Sequence, residues 1–528
     1  MGKCTRRRVR GGTLVLKKTD ASLRQRVQEL GGGKVGVVPV DVSKERICAM
    51  VADFYGNVLT APEVFPITAA GLGLLERRIT EAQAEYGLKL MVIGLERTGR
   101  LHEPVRRVLA RRWELKLIHP LVTSHLRQGI NRNIKTDGAD VDALLRAVTG
   151  CYGSPSRPLP VAYEHWRALH RVRQQLVDER ARRKDQMHER LQAAMPGLSK
   201  QFDSVWISPL ASALLCDFDS PAALLHAGET GLRQRLRERG VRCTPTRAER
   251  LVAWAADAVP PSAAASTEMA ILRADLGHLS FLGQRLERVE REMLAFLVQS
   301  PFALLLSIPG ISHVLASGLG AEAGPMEFYP TARNLTGRAG LYPRRYQSDQ
   351  TDLQGTGMAC GQPFLRHVLM NSGRCLILAG GAFFAWGESR RALGWKQKEI
   401  VAAMANRFCR VAHAMLLTGQ TFRHPGAKPG VSVLGKLLNV AADLGIDAPQ
   451  AAALARQAAA QLPACARPVE ISDLTSGAWK DDNRPREHGA SPCTTRQIAR
   501  ETVPALLEWL THRENHHDVT QAADFRSP

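Results

Sequence analysis

Val35-Gly36-Val37-Val38-Pro39-Val40-Asp41-Val42 is a nearly unbroken apolar run carrying a carboxylate at its end, and Met91-Val92-Ile93-Gly94-Leu95-Glu96 repeats the form. Such runs read as strands covered on both faces, the pattern of a parallel sheet between helices. Pro39 has no N–H for a ladder and argues against a central place for the first strand. Working outward, residues 46–52 read as a second strand, Gly56-Asn57 as a turn, and residues 58–61 as a third strand pairing back. Leu72, Leu75, Ile79 and Ala82 recur at helical spacing before the buried strand at 88–95. A helix follows over 103–112 and a short strand over 115–119. Three strands, a helix, a strand, a helix and a strand is the order of a ribonuclease-H-like domain.

The carboxylates at the strand ends carry the chemistry. Asp41 and Glu96 end two strands, and active groups collect where neighbouring strands of such sheets end. Asp137 and Asp140 lie in Lys135-Thr136-Asp137-Gly138-Ala139-Asp140, and a spacing of three puts both on one face of a helix start. Asp142 competes for the last position, but the spacing prefers Asp140. Asp137 after Thr136 also fits a plain helix cap. Four gathered carboxylates repel one another, and each is pushed up unless cations hold it. Mg²⁺ takes oxygen ligands, and a pair of ions can activate a nucleophile and stabilise the leaving oxygen of a phosphodiester.

Lys plus Arg number 71 against 50 Asp plus Glu, a net charge of +21, which points to an acidic polymer, nucleic acid being the commonest. The ten Cys are scattered without a C-x-x-C pair, which argues against a zinc ribbon and fits a reducing compartment. The basic start has no long apolar run after it, and the apolar stretch 375–386 is too short and Gly-rich to span a bilayer. The expectation is a cytoplasmic, nucleoid-associated protein without a membrane partner.

The organisation expected is α/β plus α. Residues 1–33 form a basic flexible arm, 34–158 the catalytic domain, 159–300 a helical or coiled-coil middle, 301–422 a mostly helical C-terminal domain, and 423–528 a partly disordered tail. In the middle segment Leu169, Val172, Leu176, Met187 and Leu191 form an apolar stripe beside Arg171, Arg173, Arg180, Arg182, Arg183 and Lys184. These cations are either the solvated face of a long helix or a rail along a phosphate backbone. Lys135, Arg344, Arg345 and Arg366 are further candidates for nucleic-acid contact. His512, His516 and His517 read as solvated tail; Trp386, Trp395 and Phe383-Phe384 read as helix packing.

Together these segments resemble the DEDD insertion-sequence transposases of the IS one-ten and IS eleven-eleven group, whose N-terminal domain is similar to the Holliday-junction resolvase RuvC. Asp41-Val42-Ser43-Lys44 resembles the family's first motif, Glu96-Arg97-Thr98-Gly99 its second, and Lys135 through Ala143 its third, with Val141 where Ala is usual. A second set follows in order: Ile308-Pro309-Gly310-Ile311-Ser312, then Leu335, Ala339-Gly340-Leu341-Tyr342-Pro343, Gln347-Ser348, Gly355, Gly361, Leu365 and Arg366. The Pro-Gly segment reads either as a plain turn or as a helix-hairpin-helix start whose amides meet a phosphate. Two departures stand out: Asp349 replaces a Gly, and Ala359-Cys360 replaces a Lys before Gly361.

The resemblance implies a RuvC-like catalytic domain and a C-terminal serine transposase domain. It implies Ser348 as the nucleophile that attacks a DNA phosphate held by Mg²⁺ on the quartet, giving a covalent protein–DNA intermediate. It further implies donor and target DNA as substrates, guidance by a structured non-coding RNA (a bridge RNA), and a homodimer or tetramer. Taken alone, Ser348 reads as a turn serine. The alternative enzyme is a metal-dependent junction-resolvase-like nuclease with water as nucleophile, and a third reading is a nucleic-acid-binding relic.

Overall fold

The computed structural model describes residues 21–97, 99–130, 136–156, 159–348, 351–358, 361–422 and 433–462. The chain divides into two compact units, Met1–Pro158 and Leu159–Pro528.

The first unit runs α1 (Ala21–Leu30), β1 (Val35–Val42), β2 (Arg46–Asp53), β3 (Val58–Pro66), α2 (Ala69–Glu85), β4 (Leu90–Glu96), α3 (His102–Leu109), β5 (Glu114–Ile118), α4 (Pro120–Ile130), α5 (Asp137–Thr149) and β6 (Ser154–Pro155). From β1 to β5 this is the order the hydrophobic periodicity predicts. The strands form one mixed sheet in the order β3-β2-β1-β4-β5-β6. β1, β4 and β5 are parallel, and β2, β3 and β6 join antiparallel. Side chains alternate across it, as pleating requires. Val38, Val40, Val42, Ile93 and Leu95 pack in one core with Leu75, Ile79, Val105 and Leu109. Val35, Val37 and Val92 pack in another with Leu23 of α1 and Val141, Leu144 and Val148 of α5.

Three expectations are corrected here. β1 is central despite Pro39: its antiparallel pairing with β2 holds at Gly36, Val37 and 40–42 but omits Val38 and Pro39, so the missing N–H falls in a gap of that ladder. β3 runs on to Pro66 beyond the expected 61, because an edge strand tolerates Pro62 and Pro66, whose missing N–H groups can face away from the ladder. Residues 21–30 of the expected arm are helical and docked: Leu23 is buried, and Arg26 donates to both carboxylate oxygens of Glu114 at 2.6 and 3.0 Å.

Gly94 lets α5 lie close on the sheet, since a Cβ there would stand 2.4 Å from Val148 Cγ2. Gly94→Val should therefore destabilise the protein by about 1–3 kcal/mol through overpacking, although Val is the better strand former. Urea unfolding measures this, and an unchanged or raised midpoint would remove the close-approach argument.

The second unit contains α6 (Val161–Ala194), α7 (Pro209–Asp217), α8 (Pro221–Glu238), α9 (Pro245–Asp257), α10 (Ala265–Val298), α11 (His313–Ala323) and α12 (Ala332–Ala339). A hairpin of β7 (Pro343–Ser348) and β8 (Thr351–Met358) follows, then α13 (Pro363–Leu378), α14 (Gly381–Ala392), α15 (Gln397–Thr418), α16 (Val433–Asp443) and α17 (Ala448–Ala459). The long helices α6 and α10 pair antiparallel. Ion pairs Arg173–Glu290 (2.7 Å), Arg183–Asp275 (3.0 Å) and Arg190–Glu268 (3.6 Å) fall along one helix as they rise along the other. Leu176, Leu282 and Leu286 fill the seam.

The expected border at 300 and the expected tail are both crossed by packing. One core joins Trp166, Met293 and Leu297 of the long helices to Phe302, Leu369, Phe408, Leu434 and Ala455. A separate core gathers Met187, Leu214, Leu232, Leu251 and Leu272 at the far end of the α6–α10 pair. α15 is apolar and long enough to cross a bilayer by composition, yet half of its apolar window is buried, with Ile400, Met404, Phe408 and Ala412 in the core. Its amphipathic face had no separate signal in the sequence reading.

Glu322 of α11 is fully buried among cations. Its carboxylate meets His170 Nδ1 at 3.0 Å, Arg171 Nε at 3.2 Å and Arg167 Nε at 3.8 Å, and Gln362 donates to it from the start of α13. Burial alone would push this carboxyl up, but hydrogen bonds from His170 and Arg171 and their charge hold it at about 2. The folded value lies below that of the unfolded chain, so this stabilisation is present above pH ~4.5 and is lost as pH falls towards 2. Glu322→Ala strands buried cations and should cost about 3–5 kcal/mol. Thermal unfolding at neutral pH tests it, and a loss below about 1 kcal/mol would show that the cluster is not holding α6 to α11.

Candidate functional site

β1 and β4 pair with Val40 opposite Leu95, so the next residues, Asp41 and Glu96, end side by side. Strand alternation turns both towards the face that α5 covers. α5 starts at this edge because Thr136 caps it, its hydroxyl accepting from the Ala139 N–H at 3.2 Å. The cap places Asp137 and Asp140 in the first turn, Asp140 buried and Asp137 exposed.

The four acids share one electrostatic neighbourhood. Asp41 is pushed up to about 6 by burial first, then by the negative charges of Asp140, Glu96 and Asp137. Cys48, opposite Asp41 in β2, reports the same field: burial raises its thiol, and Asp137 and Asp41 raise it further. Asp142 points its carboxylate elsewhere, to Arg146 at 2.9 Å.

α4 supplies two residues that sequence reasoning missed. Thr123, almost fully buried, donates its hydroxyl to Glu96 Oε2 at 2.7 Å. Arg127 forms an ion pair with Asp140. Their spacing of four on one helix face was the available signal, but nothing in the sequence said which strand ends α4 would approach. Among the described residues, no three His, Cys, Asp or Glu side chains stand together as a finished metal cage. The donor set nonetheless fits a hard divalent cation: four carboxylates act at one sheet edge, they repel at Asp41, and a guanidinium already neutralises one of them.

In the second unit, Ser348 is the last paired residue of β7, opposite Thr351. The side chains of Ser348, Arg344 and Arg345 lie outside the described residues, as do Lys135, Asp349, Ala359, Cys360, His512, His516 and His517. The base of the hairpin is pinned. Gln362 N–H donates to Arg338 O at 2.8 Å, Arg366 Nε to Ala339 O at 2.8 Å, and Asn406 Nδ2 to Leu341 O at 2.9 Å. A Cβ on Gly361 would lie 2.5 Å from the Ala339 and Gly340 backbone, so only glycine fits there. Arg366, a candidate for nucleic-acid contact, thus has a structural bond to make.

The basic stripe of α6 divides in two. Arg171, Arg173 and Arg183 are paired with Glu322, Glu290 and Asp275 inside the unit. Arg182 is exposed, Arg180 and Lys184 half-buried, and among the described residues none of the three has an ion-pair partner; burial and the Arg180 charge lower Lys184. Ile308 and Ile311 of the Pro-Gly segment are buried, and Lys436 Nζ donates to the carbonyls of Leu306 and Ile308 at 2.6 and 3.0 Å. The two isoleucines anchor the turn in the core, while Gly310 and Ser312 are exposed. Of the aromatic residues, Phe383 stacks on Phe422 at 5.6 Å as packing, but Phe384 and Trp395 are exposed.

Two family models match separate parts of the chain, in order. The DEDD-type IS110 transposases, described as "Transposase", match residues 38–196, and the "Transposase IS116/IS110/IS902 family" matches residues 302–382. The transposase for insertion sequence element IS1328 of Yersinia enterocolitica is 25% identical over 362 residues, 67% of this chain and 92% of that protein. A probable family 20 transposase of Pseudomonas aeruginosa is 28% identical over 174 residues, 30% of this chain and 51% of that protein. The DEDD-type match points to a divalent metal.

Proposed function

We propose, from the premise that this chain belongs to the IS110 family of DNA transposases, that it excises and inserts a mobile element by exchanging DNA phosphodiesters through a serine nucleophile and an acidic metal site. The observation that carries the metal half is the convergence of Asp140, Glu96 and Asp137 on Asp41. Asp41, Glu96, Asp137 and Asp140 would hold Mg²⁺ on a ribonuclease-H-like, RuvC-like sheet. Bound there, Mg²⁺ would polarise the scissile phosphate and stabilise the departing oxygen.

The protein's own groups do the rest. Thr123 orients Glu96, and Arg127 balances Asp140. Ser348 Oγ forms one ester bond to phosphorus while one P–O bond to the deoxyribose breaks, and the hydroxyl proton ends on the departing oxygen. Ester number is conserved, so a DNA hydroxyl can reverse the step and rejoin strands. The substrates are donor and target DNA, and a structured guide RNA that pairs with both is part of this reading, with a dimer or tetramer as the working unit. The positive charge of +21 supports polyanionic partners.

The test is purified protein with Mg²⁺ and DNA carrying the element's ends, quenched in detergent. Protein-linked DNA and rejoined strands are expected. Cleavage without any protein-linked DNA would favour the nuclease with water as nucleophile, and salt-sensitive binding without cleavage would favour the relic.

A further inference from the structure

α14 and the N-terminal half of α15 carry a set of cations and indoles outside the acidic site; Trp386 packs against the core by one side of its ring. Arg407 lies over the Trp386 ring with its guanidinium carbon 4.4 Å from the centroid. Arg390 lies 5.5 Å from the Trp386 centroid and 5.6 Å from that of Trp395. The result is an alternating ladder, Arg407–Trp386–Arg390–Trp395. Stacking on an indole fixes a guanidinium while leaving its N–H edge free to bond a phosphate.

Charge on this face is one-sided. Residues 374–410 hold seven Arg and Lys against two Glu. Glu388 is taken by Arg391, and Glu399 accepts from the Lys396 backbone N–H at 3.0 Å. Among the described residues, Arg390, Lys396, Lys398, Arg407 and Arg410 have no carboxylate partner. Burial and the like charges of Arg410 and Arg390 lower Arg407. Arg390 Nε and Trp386 Nε1 are buried without a hydrogen-bond partner. Trp395, at the end of the ladder, is 39% exposed.

We propose that this face binds an unpaired nucleic-acid strand, with a base stacked on Trp395 and phosphates on Arg390, Arg407 and Arg410. A paired duplex keeps its bases stacked on one another and offers an indole nothing to stack on, whereas any base of an unpaired strand does. Exchange of strands between two duplexes must pass through such unpaired segments, so the proposal deepens the nucleic-acid reading above. It does not depend on the acidic site.

The test is fluorescence polarisation with the full chain, in chelator and without divalent metal, so that binding alone is read and the outcome is separable from strand transfer. The probes are a single-stranded DNA, an RNA of the same sequence and the DNA duplex. Trp395→Ala should weaken single-strand binding about tenfold and leave duplex binding within about twofold. Arg410→Gln, a change at an exposed position that keeps most of the side-chain stem, should lower the salt slope for the single strand by about one. Loss on the DNA strand alone, or on the RNA alone, supports the surface and identifies its strand. Unchanged single-strand affinity in both variants, or equal loss on strand and duplex, overturns it. So does an effect confined to anionic phospholipid vesicles or to the oligomeric state.

Discussion

Asp41→Asn should abolish strand transfer and, in metal-free buffer, make the protein more stable. If the quartet holds the proposed metal, loss of one carboxylate would remove several kcal/mol of transition-state stabilisation, a rate loss on the order of 10³-fold or more. The stability gain follows from the field at this edge. Asp41 sits at about 6 in the folded chain, raised by burial and by Asp140, Glu96 and Asp137, against an ordinary value of 3.8. The folded state thus prefers the protonated acid. Its stability falls as pH rises from about 4 to about 6 and stays lowered above that. Asn removes the penalty. Allowing for the solvent that reaches Asp41, the gain is on the order of 1 kcal/mol at neutral pH. Melting in chelator at pH values either side of this window measures it, with the difference between variant and parent vanishing at low pH. An Asn variant that still transfers strands, or that melts below the parent in chelator, would sink the assignment of Asp41.

Ser348→Ala should eliminate the protein–DNA adduct and strand exchange together, again by at least about 10³-fold, since alanine has no oxygen to form the ester. The substitution removes one oxygen at the last paired position of β7, whose backbone pairing with Thr351 needs no side chain. The hairpin base is held by Gln362, Arg366 and Asn406 through the backbone carbonyls of Arg338, Ala339 and Leu341. The melting temperature should therefore stay that of the parent, which separates a lost nucleophile from a lost fold. Undiminished cleavage by the Ala variant would transfer the reaction to water and leave the serine a turn residue.

The legible and illegible parts of this protein differ for physical reasons. The sheet was readable because strands buried on both faces must be apolar throughout, and because their carboxylate endings interrupt that rule visibly. The docked α1 was not readable. Its mean character is polar, and what holds it is Leu23 with the half-buried Val27 and Leu30, and an ion pair to Glu114, a partner 88 residues away. Thr123 and Arg127 were missed likewise: a threonine and an arginine on a helix have many uses until the helix is placed. The α6 stripe shows the converse. Arg171 and Arg182 look alike in sequence, yet one neutralises a fully buried glutamate and the other faces solvent.

The antiparallel pairing of α6 and α10 has a consequence for how this fold can vary. Each helix has 34 residues, close to 50 Å of rise, with a packed core at either end and a seam of ion pairs between. Adding a stretch to one helix alone would slip Arg173, Arg183 and Arg190 past their acids. Adding seven residues to both would keep every pair matched and move the two cores apart by about 10 Å. The pair is a ruler graduated in heptads, and spacing between its ends can be reset without redesigning either of them.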